Sequence, residues 1–465
     1  MSLPDRKGLP LSTIINRRQA SAMLATAAWG MTIPARAAPP RRLLLRGADH
    51  LLTMTETPRA KTDLLVHQGR IEAIGPGLPA GDADVIDLSG HVLMPGFVDT
   101  HWHMWNTAAR GLWRSAKGGF MPTMAAISPH FTPADVAIGV DLALAEAVNS
   151  GITTVHNWAH NVRSPAHADA EIAAMIRSGV RGRFAYGYAQ DVGKDQPMDF
   201  DHLSTIARRP PSDLVSIGIC ARGPDRSAPS VWQAEWDVAR RLGLPISTHM
   251  ASDPKSAASG GIAALAAREG LGADVQLVHL TAASRADMDR VAQAGSPVSI
   301  SPWTELEVGY GVPPIADMIA AGLLLGLSVD NMVLAGQADM FSVMRLSTDL
   351  ARGLSRNPLL MEDMTALRWA TIDGARSLGM GQQVGALAPG MRADIIAVRV
   401  DALNTAPAAD LPSLLTHAAR PDNVSLVLID GVAHKRDGQL VRVDLPAIRA
   451  KASASIAKIR SAAAI

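Results

Sequence analysis

The chain of 465 residues is long enough to bury a large core, and its 48% hydrophobic and 19% charged residues are typical of a globular protein. A formal net charge of +1 gives no reason to expect nucleic acid or an anionic membrane as a partner. The single cysteine, Cys220, excludes an internal disulfide framework and a cysteine-rich zinc site, whereas 14 histidines leave imidazole ligation of a metal open.

Residues 1–37 have the pattern of a twin-arginine (Tat-type) export signal. Arg17 and Arg18 form the arginine pair, and a short, moderately apolar segment follows over residues 20–33. The sequence Ala-Arg-Ala at 35–37 fits a cleavage site, which predicts a periplasmic or secreted mature protein. The apolar segment is too short to span a bilayer, so no stable membrane association is expected. A disordered basic leader on a cytoplasmic protein is the alternative.

Short strands punctuated by turn residues occupy both ends of the remaining chain. They lie in residues 38–92 and again in residues 385–442, where Asp430 and Gly431 mark a turn. This arrangement predicts one small β-sandwich domain built from both termini. The last segment, residues 443–465, is predicted to be a solvated amphipathic helix that starts near Pro446.

The middle of the chain, residues 93–384, alternates strands with helices. The eight predicted strands are 91–98, 152–155, 183–188, 214–220, 245–249, 276–279, 298–301 and 323–330. Eight strands that are each followed by a helix predict an α/β fold, the (β/α)8 barrel of the TIM type. Such a barrel carries its functional site at the C-terminal ends of the strands.

Histidines and one aspartate follow several of these strands directly. His101 and His103 come after the first strand, and residues two apart on an extended chain point to the same side. His249 ends the fifth strand, His279 the sixth and Asp330 the eighth. All five side chains should therefore meet at one mouth of the barrel. Three imidazoles and a carboxylate suit zinc or iron and leave a position for water.

The chain resembles the amidohydrolase superfamily, in particular its cytosine deaminase-like and chlorohydrolase-like branch. The resemblance covers about residues 42–442 and rests on several motifs in the same order. These are Pro-Gly-Phe-Val-Asp-Thr-His-Trp-His (95–103), Val-His-Leu-Thr (278–281), Gly-Val-Pro-Pro (311–314) before Leu-Ser-Val-Asp (327–330), Thr-Ile-Asp-Gly-Ala-Arg-Ser-Leu-Gly (371–379) and Val-Gly-Ala-Leu-Ala-Pro-Gly-Met-Arg-Ala-Asp-Ile (384–395).

The resemblance implies a role for each residue at the barrel mouth. His101, His103 and His249 resemble the metal ligands of the family. Asp330 resembles the carboxylate that binds the metal and acts as the base toward its water. His279 resembles the histidine that polarises the substrate or helps to hold that water.

The number of metal ions also follows from the resemblance. Binuclear members bridge two ions through a carboxylated lysine on the fourth strand. Here that strand ends Gly-Ile-Cys-Ala-Arg (218–222), without a lysine. One divalent ion is therefore expected, zinc in the first place and iron as the alternative.

The sequence departs from the branch at the proton shuttle. Purine, pyrimidine and triazine members carry a glutamate three residues after the fifth-strand histidine, where this chain has Ser252. Asp253 is one position late, which on an extended segment points it away from the site. We hypothesise that Glu305, after the seventh strand, is the replacement acid/base. A salt-bridged loop carboxylate is the alternative reading of Glu305.

Several aromatic residues lie at predicted strand ends beside the histidines. Trp105, Trp158, Trp303 and His160 are predicted to line a substrate pocket. A dry pocket lined by indole rings would suit a planar aromatic or heteroaromatic substrate. Loop packing around the barrel mouth is the alternative.

The predicted function is hydrolysis of a non-peptide C–N bond in a small, aromatic or heterocyclic substrate by metal-bound hydroxide. Deamination and cleavage of an amide or urea are both compatible with the motifs. The alternatives are hydrolytic dehalogenation of a heterocycle and a non-catalytic metal- or ligand-binding protein on the same fold. The resemblance also implies a homo-oligomer.

Overall fold

The first strands belong to a small β domain in the computed structural model, which describes residues 42–209 and 211–465. They are β1 (Leu43–Leu51), β2 (Arg59–His67), β3 (Arg70–Gly75), β4 (Asp84–Asp87) and β5 (His91–Pro95). The predicted export signal, residues 1–37, lies outside the described residues.

Eight parallel strands form the barrel, and each pairs with the next one along the chain. They are β6 (Phe97–Trp102), β7 (Ile152–Ala159), β8 (Arg181–Tyr186), β9 (Val215–Ala221), β10 (Ile246–Met250), β11 (Val275–His279), β12 (Val298–Ile300) and β13 (Leu325–Leu327). The predicted barrel is thus confirmed. The prediction of one strand over residues 91–98 was wrong, because the strand is interrupted at Gly96, between β5 and β6.

Gly96 explains this break between the two sheets. A Cβ atom at this position would lie 2.2 Å from the side chain of Thr153, so any residue larger than glycine would clash with Thr153. The Gly96 N–H donates to the carbonyl of Asp394 at 3.0 Å, and the next residue, Phe97, donates to Gly151 in front of β7 at 2.9 Å. The chain therefore leaves one sheet and enters the other within a single residue.

The first and last barrel strands are joined just beyond their ends. The Asp330 N–H donates to the carbonyl of His101 at 3.1 Å, and the His103 N–H donates to the carbonyl of Asp330 at 2.8 Å. The side chain of Thr100 adds a hydrogen bond to the carbonyl of Leu327 at 2.9 Å. The barrel is closed at the edge that carries the predicted metal ligands.

The strands after the barrel return to the small domain. They are β14 (Ile395–Arg399), β15 (Val424–Ile429), β16 (Val432–Arg436) and β17 (Gln439–Leu440). β14 pairs antiparallel with β5, which joins both ends of the described chain in one nine-stranded mixed sheet. Buried leucines and isoleucines such as Leu64, Leu93 and Ile395 form its core. The prediction of a small β domain from both termini is confirmed.

Helices surround the barrel and follow its strands. They are α1 (Phe120–Ile127), α2 (Pro133–Ser150), α3 (Pro165–Ser178), α4 (Phe200–Ala207), α5 (Pro229–Arg241), α6 (Pro254–Ala258), α7 (Gly261–Ala266), α8 (Arg285–Ala294), α9 (Pro302–Glu307), α10 (Ile315–Ala320), α11 (Met332–Ala335), α12 (Met340–Ser355), α13 (Asp363–Trp369), α14 (Ile372–Ser377), α15 (Leu411–His417) and α16 (Leu445–Ala463). Among the helices that the structure describes, none is long and apolar enough to cross a membrane.

The C-terminal helix α16 packs on the barrel, which corrects the prediction of a solvated helix. Ile459 is fully buried in a cluster with Trp105 and Phe131. Asp135 on α2 accepts a hydrogen bond from Ser455 at 2.7 Å and pairs with Lys458 at 2.6 Å. The buried face consists largely of alanine and serine, so its hydrophobic pattern was too weak to read from the sequence.

Candidate active site

The strand ends that form the site contain backbone in the left-handed region. His279 has φ 77° and Asp330 has φ 58°, values that residues other than glycine rarely adopt. Such positions cost free energy and are concentrated at functional sites. At both residues the backbone leaves the strand direction, and both side chains join the cluster described next.

Four ligand atoms converge at the mouth of the barrel. The Nε2 atom of His101 lies 3.2 Å from Nε2 of His103 and 3.2 Å from Nε2 of His249. Oδ1 of Asp330 lies 3.3 Å from the Nε2 atom of His101 and 3.2 Å from that of His103. In a tetrahedral zinc site with ligand distances of about 2.1 Å, the ligand atoms are about 3.4 Å apart. The spacing therefore fits one divalent ion.

The protonation of these residues fits a cation as well. Burial lowers the pKa of His101 to about 3 and that of His249 well below its usual value, so both rings are neutral. Burial alone would raise the pKa of Asp330, but the imidazoles of His101 and His103 outweigh it and hold the pKa well below its usual value. Lone pairs of neutral imidazoles and a carboxylate at this spacing repel each other unless a cation lies among them.

Asp99 fixes the backbone on which two of these ligands stand. Its Oδ1 accepts the N–H of His101 at 3.1 Å, and its Oδ2 accepts the N–H of Val329 at 2.9 Å. One carboxylate thus connects the end of β6 with the segment after β13 that leads to Asp330. The side chain of Asp99 is fully buried, so these bonds are shielded from water.

His279 lies at the edge of the cluster and is held from behind by Glu305. The Nε2 atom of His279 is 3.9 Å from Oδ2 of Asp330, and its Nδ1 atom is 3.1 Å from Oε1 of Glu305. Glu305 also accepts the N–H of Ser301 at 2.9 Å. The Glu305 side chain is fully buried in the first turn of α9 and does not line the cavity. It contacts the histidine rather than the space for substrate.

The predicted pocket residues take different positions. His160 lines the cavity, and its ring centroid is 4.1 Å from that of His103. Trp105 is buried below it and donates its Nε1–H to Nδ1 of His160 at 3.2 Å. Trp158 is also buried, and its ring contacts His101 and His249 with centroid distances of 4.7 and 4.2 Å. Both indoles therefore support the histidines and do not line the cavity.

Trp303 does not line the cavity either, and 37% of the residue is exposed. It is the second residue of α9, whereas the following residue, Thr304, faces the cavity. Successive residues of a helix point about 100° apart, so the two side chains diverge. The sequence placed Trp303 at the strand end, but it could not show that a helix starts at Pro302.

A cavity of about 450 Å³ opens beside the histidines and Asp330. Its lining includes several residues that the sequence analysis did not single out: Phe120, Met124, Tyr188, Gln190, Lys194, Arg222, Arg226 and Tyr310. They belong to loops and helices that follow different strands. Only the position of Arg222 immediately after the fourth strand could have been noticed in the sequence, because no motif marks the others.

The position of the usual shuttle glutamate is occupied by a small side chain. Ser252 is fully buried, and its Oγ accepts a hydrogen bond from Nη2 of Arg226 at 3.4 Å. The neighbouring Asp253 caps α6 by accepting the N–H groups of Lys255 and Ser256. Asp253 is thus used in helix capping, in agreement with the prediction that it points away from the site.

The barrel, the histidine and aspartate cluster at its strand ends and the adjoining cavity together define a metal-dependent hydrolase. Residues 92–433 match the model of the amidohydrolase family, and the chain belongs to this family. It is accordingly a hydrolase that acts on C–N bonds other than peptide bonds, as predicted. The alternative of a non-catalytic binding protein is not needed.

Relatives with assigned functions include deaminases. The chain is 27% identical over 429 residues to a 5-methylthioadenosine/S-adenosylhomocysteine deaminase of Desulforamulus reducens, covering 87% of this chain and 95% of that protein. It is 26% identical over 408 residues to the enzyme of the same name from Moorella thermoacetica, covering 83% and 93%.

Solved structures share the fold. An adenosine deaminase from Xanthomonas campestris with bound zinc superposes with a TM-score of 0.82 at 24% identity and covers 91% of this chain and 100% of its own. An atrazine chlorohydrolase from Arthrobacter aurescens TC1 complexed with zinc gives a TM-score of 0.81 at 22% identity and covers 89% and 100%.

We predict that Asp99→Asn lowers both stability and metal occupancy. The amide offers one acceptor oxygen in place of two, so one buried N–H loses its partner, which costs about 1–3 kcal/mol in the free energy of unfolding. Because His101 and Asp330 depend on these bonds for their position, the metal content of the purified protein should also fall. Urea unfolding and elemental analysis measure the two effects.

Asp63→Asn is the matched control for this prediction. Asp63 likewise accepts two backbone N–H groups, from Gly47 at 2.8 Å and from Leu78 at 2.9 Å, but it lies in the small domain. This variant should lose stability and keep its metal. Equal metal content in the Asp99 and Asp63 variants would contradict the assigned role of Asp99.

Proposed function

We propose that the protein binds one zinc ion through His101, His103, His249 and Asp330 and hydrolyses a C–N bond of a small heterocyclic substrate. The observation that carries this proposal is the convergence of three imidazole nitrogens and one carboxylate oxygen beside the cavity. The zinc reported for similar structures supports the choice of metal. The fourth strand ends in Arg222, without a lysine that could bridge a second ion.

The deaminase names of the relatives favour hydrolytic deamination as the reaction. One observation favours a second candidate, cleavage of an amide or urea: Ser252 stands where a glutamate would protonate the ring of a heterocycle. An amide or urea has no ring nitrogen that must be protonated before attack. Both reactions break a C–N bond by adding water.

A divalent ion in this site supplies Lewis acidity, which makes water nucleophilic at neutral pH and polarises the bond under attack. The protein groups then handle the protons. Asp330, held in its ionised form, accepts a proton of the attacking water. His279 points its Nε2 atom toward the same space and stabilises the charge that develops on the substrate.

Glu305 acts on this reaction through His279, as a positioning residue. Its carboxylate accepts the Nδ1–H group of His279 and so fixes the orientation of the ring. During the reaction a proton can pass through Nε2 of His279 to the leaving nitrogen, and Glu305 behind Nδ1 stabilises the charge that the ring then carries. The Glu305–His279 pair would thereby replace the missing shuttle glutamate, with the imidazole rather than the carboxylate facing the substrate.

A substrate panel tests the proposed function. Protein without residues 1–37 is loaded with zinc and challenged with amino-substituted heterocycles and with aryl amides and ureas, while ammonia and product masses are followed. Ammonia from a heterocycle supports deamination. An amine with a carboxylic acid, or an amine with carbon dioxide, supports the second candidate. Halide release from a chlorinated heterocycle, or no turnover of any compound with one zinc per chain, would contradict the proposal.

We predict that Glu305→Gln lowers kcat by roughly two to four orders of magnitude while the zinc content stays the same. Glutamine keeps an oxygen that can accept the Nδ1–H group of His279 but removes the negative charge that stabilises the ring while it passes a proton to the leaving nitrogen. The expected change is therefore in kcat, with KM little altered. Steady-state kinetics on a substrate from the panel measure both constants.

Glu171→Gln is the control for a buried carboxyl group outside the site. Burial raises the pKa of Glu171 to about 8, so this group is already neutral at pH 7 and glutamine closely imitates it. Its kcat and KM at pH 7 should be unchanged. If the Glu305 variant behaved in the same way, Glu305 would have no part in the mechanism.

We further propose that residues 1–37 direct export through the twin-arginine pathway and are removed after Ala37. Replacing Arg17 and Arg18 together by lysine should leave the full-length protein in the cytoplasm, because the pathway recognises the arginine pair. Immunoblots of periplasmic and cytoplasmic fractions measure the distribution and the size. Mature-length protein outside the cytoplasm in the double variant would contradict the proposal, and so would uncleaved cytoplasmic wild-type protein.

A further inference from the structure

Arg226 is a charged residue of the cavity that the proposed reaction does not use. It lies in the loop between β9 and α5, and its guanidinium group lines the cavity together with His249 and Tyr310. Its hydrogen bond to Ser252 is long, at 3.4 Å, and the hydroxyl of Tyr310 lies beside it. A guanidinium group has five N–H donors, so these two neutral partners leave donors free.

The positive charge of Arg226 has no carboxylate in direct contact among residues 42–209 and 211–465. The neighbouring carboxylate of Asp225 attracts it electrostatically but forms no ion pair with it. The adjacent carboxylate of Asp225 accepts the N–H of Ala251 at 2.9 Å and the hydroxyl of Ser259 at 2.6 Å. An unpaired cation that is partly buried in a cavity wall is costly, and it is retained where an anionic ligand completes the pair.

The other charges of the cavity add to this imbalance. Lys194 lies at its mouth, and Arg222 lies in its wall, where it donates to the carbonyl of Gly193 at 2.8 Å. Of the two acidic residues in the lining, Asp330 belongs to the metal site. Asp191 is bound by both terminal nitrogens of Arg163, at 2.6 and 3.0 Å. Neither carboxylate is therefore available to neutralise Arg226.

Because Ser252 is uncharged, it leaves the positive charge of Arg226 free to bind a ligand. A glutamate at this buried position would place its carboxylate against the guanidinium group and neutralise its charge in an ion pair. The serine hydroxyl accepts one hydrogen bond and brings no charge. The presence of serine instead of the shuttle glutamate therefore also leaves a positively charged cavity wall next to His249.

We propose that Arg226 binds a carboxylate group of the substrate, so that the enzyme acts on small anionic compounds. This inference rests on the proposed hydrolysis at the adjoining metal site and specifies its substrate class. The planar fork of a guanidinium group matches a carboxylate with two parallel hydrogen bonds. The carboxylate lies against the loop after β9, which orients the scissile C–N bond toward Asp330 and His279.

The test compares ligands that differ only in charge. Three pairs of aminated heterocyclic acids and their primary amides, among them 6-aminonicotinate and 6-aminonicotinamide, are titrated into the zinc-loaded protein by calorimetry. Wild-type protein should bind at least one acid about ten to a hundred times more tightly than its amide. Ammonia release from the same compounds reports the proposed function separately.

Three variants locate the preference. Arg226→Met should abolish it, and Arg226→Lys should keep part of it. Ser252→Glu keeps the guanidinium group but pairs it, so it should also abolish the preference if the methionine variant fails to fold. Arg290→Met is the control for the loss of an arginine, because Arg290 lies on the exposed face of α8 and pairs with Asp287. It should bind as the wild type does.

Two results would overturn the inference. One is that the wild type prefers none of the acids, including the case in which none binds. The other is that the preference survives in Arg226→Met or in Ser252→Glu, which would place the carboxylate on the metal or on Lys194. Failure of the proposed function looks different: the acids would still bind through Arg226, but no compound would release ammonia or an amine.

Discussion

The site depends on the way in which the first and last strands of the barrel meet. Two backbone hydrogen bonds between Asp330 and the segment of His101 and His103 close the barrel, and the carboxylate of Asp99 ties both segments together. The same few residues therefore complete the fold and hold the metal ligands. Because the barrel cannot close without bringing Asp330 to the two histidines, the ligand spacing is a consequence of the topology.

This dependence explains how much the sequence could predict. A polar residue directly after an apolar strand must lie at the rim of a parallel barrel, so the sequence alone assigns His101, His249 and Asp330 to one mouth. The order of strands and helices likewise predicted the barrel and the domain shared by both termini. These inferences need only periodicity and chain order.

The remaining features depend on contacts between distant segments, which periodicity does not encode. The break at Gly96 follows from the side chain of Thr153, 57 positions further along the chain. Trp303 and Glu305 were assigned to the mouth because they follow β12. Because α9 starts at Pro302, Trp303 instead points outward, and Glu305 is buried behind His279. Arg226 belongs to no motif, and its role emerges only where three loops meet.

The arrangement of charge in the site follows from burial. Neutral imidazoles and an ionised Asp330 favour a cation at the centre of the cluster, and the buried side chain of Glu305 holds the facing ring of His279 through a hydrogen bond. Placing this carboxylate behind His279 leaves the cavity wall near His249 without a negative charge. An arginine can then stand in that wall unpaired, which it could not do beside the usual shuttle glutamate. Serine at position 252 therefore has two consequences: the shuttle glutamate is absent, and the cavity wall can bind an anion. The route by which protons move in this site and the charge of the molecule that it binds thus depend on the same residue.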